Sequence, residues 1–113
     1  MMPEPDDEMA ALLASMRVEF LETATDRVAT IRAEADRLAI AAEPIPGLTT
    51  LIREAHTLKG GGATFGFPSL TDAGGEVETQ ARILAAAGTP LPPVEPLHAA
   101  VAVLEATLAS LKV

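Results

Sequence analysis

His56 stands in "AHTLKGGGATFGF", residues 55–67, with Arg53 three positions before it and Lys59 three positions after. If this stretch is helical, positions three apart are neighbours, so the imidazole is flanked by two cations. Two positive charges disfavour a third, which keeps the ring neutral and leaves one nitrogen lone pair free as a nucleophile. The same cations would stabilise a dianionic group once it was attached to that nitrogen.

Around a helical wheel, Leu48, Leu51, Ala55, Leu58, Gly62 and Phe65 share one arc, and His56 falls about 130° from its centre. The imidazole is therefore expected to face outward or to sit at the edge of a helical pack. Gly60 lies one turn beyond His56 on the same face, where a missing side chain leaves room for a large folded partner to reach the ring. Gly62 points toward the core arc, where the lack of Cβ permits close helix approach. Gly61 has no role in this reading.

Other chemistries fit poorly. No serine or cysteine stands near a base with an orienting third group, as acyl transfer would need. A histidine metal site wants a second histidine at i+3 or i+4, and the only other one, His98, falls in a different helix as a surface or rim residue. "LKGGGAT" holds the letters of a phosphate loop in the wrong order and follows no strand. The chain has no cysteine, so thiolate zinc sites and disulfides are excluded and a reducing cytoplasm is the expected compartment. A net charge of -8 argues against sequence-independent binding to nucleic acid or anionic lipid. No secretory signal is visible, and the longest apolar runs fall short of a membrane span.

Alanine, leucine, glutamate and arginine at three- and four-residue spacing predict an all-α chain without strands. One domain is expected over residues 1–113, with 1–6 a flexible tail. The first helical region spans Asp7 to Ala42, with a stripe through Met9, Leu12, Leu13, Met16, Phe20, Ala24, Val28, Ile31, Ala35 and Leu38. A break near Ser15 to Val18 would make it a short first helix and a longer second. "EPIPG" stops it. The next helix is expected from Leu48 to Phe65 with Gly66 as its cap, then one from Leu70 to Ala87 capped by Ser69 with Asp72, and a last from Val94 to Lys112. Short connections favour an antiparallel, up-down four-helix bundle with an extra short N-terminal helix or helical extension. Bundles of this kind usually work as monomers, and no unpaired apolar stripe demands a dimer, so a monomer is expected.

At His56-Thr57-Leu58-Lys59-Gly60-Gly61-Gly62-Ala63-Thr64-Phe65-Gly66 the sequence resembles the histidine-containing phosphotransfer (HPt) domain family. The "KGG" followed by "TFGF" looks especially like the phosphotransfer domain of CheA-type chemotaxis kinases. Phe20 in the preceding helix, and Val77, Glu78 and Arg82 in the following one, accompany the motif. The resemblance implies a four-helix bundle in which His56 accepts a phosphoryl group from a receiver-domain aspartyl phosphate, or from a sensor or hybrid histidine kinase, and passes it to a response regulator. Lys59 becomes the cation beside the phosphoryl oxygens, Gly60 the clearance for the partner, and Glu78 the acid that bonds the other ring nitrogen and sets the tautomer. Mg²⁺ would come from the partner's acidic pocket, the chain having no cofactor of its own. "DAGGEVE" departs from the pattern by placing Gly74 and Gly75 where family members carry larger residues.

The chain ends after its last helix with no nucleotide-binding region, so a carrier without autokinase activity is expected rather than an enzyme. Two alternatives are a docking module that binds receivers or kinases without accepting phosphate, and the phosphotransfer domain of a longer CheA-like kinase. Ala63, Thr64, Phe67 and Arg82 are candidates for the docking surface.

Overall fold

The computed structural model describes residues 4–111. They form four helices, α1 (Pro5–Arg37), α2 (Ile45–Gly62), α3 (Pro68–Ala87) and α4 (Glu95–Ser110), and no strand occurs among the described residues. Each helix packs on the next in the chain, and α4 returns to α1. Between α1 and α2 the numbers fall on one helix as they rise on the other: Arg17 meets Phe65, Arg27 meets Glu54, and Glu34 lies over Gly47.

α1 is one unbroken helix of 33 residues, so the break near Ser15 to Val18 does not occur. Asp6, Asp7 and Glu8 lie in its first turn, where the unpaired N–H groups favour negative charge. Of the flexible tail expected over residues 1–6, Pro5 and Asp6 are helical, and residues 1–3 lie outside the described residues. α1 ends five residues earlier than expected, at Arg37, in a turn that leads to Pro44.

The α2 face is the one the wheel gives: Leu48, Leu51, Ala55, Leu58 and Gly62 are buried. Ile31, Leu70, Val77, Leu97, Val101 and Leu104 meet them in a single core. Each fully buried leucine or isoleucine contributes about 1.5–3 kcal/mol over its exposed state. Phe20 stacks on Phe65 with centroids 4.9 Å apart and on Phe67 at 6.0 Å, closing the end of the bundle where α2 turns into α3.

α2 ends at Gly62 and not at Phe65, and the cause is tertiary. The Thr71 hydroxyl, from α3, donates to the Lys59 carbonyl at 2.9 Å and accepts the Ala63 N–H at 2.7 Å. It stands where the next i to i−4 bond of α2 would form, so the helix opens there. A turn follows and closes at Gly66, whose φ of +92° suits a residue without Cβ. α3 begins at Pro68, without the expected Ser69 cap: Phe67 precedes it, with no side-chain cap. Proline's fixed φ suits a first helical position, and that moves the start back. The last helix ends at Ser110, two residues short of the expected Lys112, which lies outside the described residues.

Candidate functional site

His56 lies near the middle of α2, off the buried arc, and its side chain is 67% exposed. Its Nδ1 is 3.0 Å from Oε2 of Glu78, on α3. Glu78 is the one buried charged residue among those described, with a side chain only 7% exposed. That arrangement is a surface ring anchored to a buried acid.

A carboxylate only accepts hydrogen bonds, so Nδ1 donates the proton and the lone pair is left on Nε2. Burial alone would push the Glu78 carboxyl up, but the hydrogen bonds from Arg82 and His56 outweigh it and hold the group below its ordinary value. Arg82 supplies two of them, through Nε at 3.0 Å and Nη2 at 2.8 Å, both to Oε2. Oε1 has no hydrogen-bond partner, and its nearest cation is Lys59 Nζ at 3.7 Å.

Lys59 is half-exposed, and its stem lies across Gly75, where an added Cβ would be 3.6 Å from Cδ. Gly74 brings α3 directly against the α2 backbone, with the place of its missing Cβ 3.2 Å from Lys59 N and 3.3 Å from Ala55 O. Gly74 and Gly75 thus let the helices approach and give the lysine stem its bed. Gly60 is exposed, and a Cβ there would meet nothing within 4 Å.

Four of the expected site residues, His56, Lys59, Gly60 and Glu78, therefore lie together on the α2–α3 face. Arg53 is exposed, with its Nε 3.8 Å from Glu54 Oε1, and the group bonded to the ring is the Glu78 carboxylate. Arg82, a docking candidate whose side chain is 60% exposed, also bonds Glu78; the i,i+4 spacing of the two was the signal available for that pair. Phe67, another docking candidate, is 7% exposed and belongs to the core. His98 is a half-buried rim residue, 3.4 Å from Arg32 Nη1 and 3.9 Å from Asp36.

The Glu78 network makes stability depend on acid. A carboxyl held below its ordinary value in the fold contributes stability that is present above the unfolded value and lost as pH falls through the folded one. Glu105, bonded by Arg32 at 2.6 Å, is lowered in the same way and adds to the loss. Urea unfolding from about pH 7 to about pH 3 is expected to show a steeper fall for the wild-type chain than for Glu78→Gln. Parallel curves would show that the network carries no such linkage.

The family model described as Hpt domain matches residues 15–112, and the chain belongs to that family. No curated protein and no solved structure matches it significantly. Hpt domains are phosphotransfer modules of two-component signalling.

Proposed function

We propose that the protein is a phosphoryl carrier of a two-component relay, built on an up-down antiparallel bundle, with His56 as the phosphoacceptor. The observation that carries this reading is the Nδ1 to Glu78 bond of 3.0 Å on a ring that is otherwise exposed. It fixes the tautomer and turns Nε2, the stronger candidate nucleophile, toward solvent.

In the transfer, Nε2 attacks phosphorus in line while the aspartate oxygen of a receiver domain leaves. The N–P bond forms as the P–O bond breaks, and Nδ1 keeps its proton, donated in a hydrogen bond to Glu78, so the ring takes on positive charge beside a carboxylate already held ionised. Lys59 swings from 3.7 Å off Glu78 Oε1 to the phosphoryl oxygens. The receiver's acidic pocket contributes the divalent cation, which neutralises charge on the phosphoryl group. Reversal of the same steps passes the group to a response regulator or returns it. The partners are receiver domains and a sensor or hybrid kinase, in the cytoplasm; no helix of the described residues is long and apolar enough to cross a membrane.

The receiver docks over Gly60, Ala63 and Thr64, which are exposed beside the ring. A shallow apolar cleft of about 310 Å³, lined by Met16, Phe20, Thr57, Gly61 and Phe65 among others, adjoins that face between α1 and α2. The test is incubation with phosphorylated receiver domains of the same cell. The expected product carries one acid-labile, alkali-stable phosphoryl group on the peptide containing His56. Acid-stable label on serine or threonine would defeat the proposal, as would tight receiver binding with no transfer from any receiver or kinase.

A further inference from the structure

The N-terminal turns of α1 carry an apolar stripe that the described residues leave exposed. Met9, Leu12, Leu13 and Met16 are between 37% and 56% exposed and share one helix face. The stripe continues directly into Phe20, Ala24, Val28, Ile31, Ala35 and Leu38, which pack in the core. It is the core-facing side of α1, carried past the end of the other helices.

Where the bundle ends is marked by Arg17, whose Nε donates to the Phe65 carbonyl at 3.1 Å. Beyond that level α1 projects alone, and the molecule measures 65 × 21 × 19 Å. The Hpt match begins at residue 15, so Met9, Leu12 and Leu13 lie ahead of the family domain. The expectation that no apolar stripe is left unpaired therefore fails.

We infer that this overhang pairs antiparallel with the overhang of a second copy of the chain. Direction follows from the fold. Because the stripe faces the same side as the bundle, a parallel pair would drive both bundles into one space, whereas an antiparallel pair sets them at opposite ends. The stripe also matches itself when reversed. A two-fold axis between residues 12 and 13 sets Met9 against the partner's Met16 and Leu12 against the partner's Leu13, the self-complementary contact that two-fold symmetry requires.

Charge agrees on one flank. Asp6 and Arg17 lie on the same side of the stripe, about three turns apart, so Arg17 meets the partner's Asp6 and the pair repeats across the axis. The opposite flank brings Glu8 toward the partner's Glu19, which limits affinity. An overlap of about 20 Å of helix puts the buried area at or below the roughly 1,200 Å² of the smallest stable interfaces. The dimer is thus a concentration-dependent one, with a midpoint on the order of 100 µM.

Sedimentation equilibrium of the full chain across that range is expected to show mass rising toward twice the monomer, and Leu13→Glu is expected to weaken association at least about tenfold with helicity by circular dichroism unchanged. The chain has no cysteine, so single reporters test direction. Leu12→Cys, beside the axis, is expected to form a disulfide-linked dimer on oxidation. Met9→Cys is not, because the two copies of residue 9 lie about 10 Å apart along the axis. The inference is overturned by a chain that stays monomeric throughout, by association indifferent to Leu13→Glu, by Met9→Cys linking as readily as Leu12→Cys, or by a stripe that is covered only when a receiver domain or lipid vesicles are added.

Discussion

His56→Gln is expected to take phosphoryl labelling of the protein to background while leaving the fold intact. Glutamine keeps a donor that can reach Glu78 Oε2, so the buried carboxylate is not orphaned. What it lacks is a nucleophilic ring nitrogen. Because the His56 side chain is two-thirds exposed, unfolding free energy should change by no more than about 0.5 kcal/mol. Labelling by a phosphorylated receiver, read beside a urea melt of the same sample, checks both halves. Stoichiometric label on the variant would mean that another residue accepts the group. Glu78→Gln is the informative companion: it keeps the lone pair and weakens the anchor, so transfer should slow without disappearing.

The second large effect separates three consecutive glycines. A Cβ at Gly62 would lie 2.6 Å from Thr71 N, 2.7 Å from Thr71 Oγ1 and 2.9 Å from Phe67 O. Two of those atoms are backbone and the third is the hydroxyl that ends α2, so nothing near can move aside cheaply. Gly62→Ala is expected to cost about 2–3 kcal/mol. At Gly61 the nearest atom is the edge of the Phe20 ring, 2.6 Å away, and a half-buried ring can tilt. Gly61→Ala should cost less, about 1 kcal/mol, by loosening the stack of Phe20 on Phe65. Gly60→Ala meets nothing, and its gain in helix propensity should stabilise the chain by about 0.5–1 kcal/mol. Denaturant melts of the three variants test the order; equal costs would refute it. Gly60→Trp should then leave stability near wild type and still block transfer from a receiver, since only a docked partner fills that space.

Much of this was legible beforehand. The buried arc of α2 follows from Leu48, Leu51, Ala55 and Leu58 at helical spacing, and the outward face of His56 follows from the same wheel. Glu78 could be proposed from the family resemblance but not located by pattern, because a carboxylate on the flank of a helix is normally solvated. Its burial depends on Gly74 letting α3 approach α2, and on Arg82 compensating the charge. The imidazole illustrates the converse: i±3 spacing offered it cations from its own helix, and the group bonded to it is a carboxylate from the next one.

The amino-acid sequence by itself determined four amphipathic helices, the motif at His56 and the absence of thiol or paired-histidine chemistry, because periodicity and residue type are local properties. Tertiary structure alone decided which groups touch: the Thr71 hydroxyl that stops α2, the burial of Glu78, and the length of α1 left without a cover. These depend on where separate helices end relative to one another, and that is set by packing between segments far apart in the chain, which no local spacing encodes.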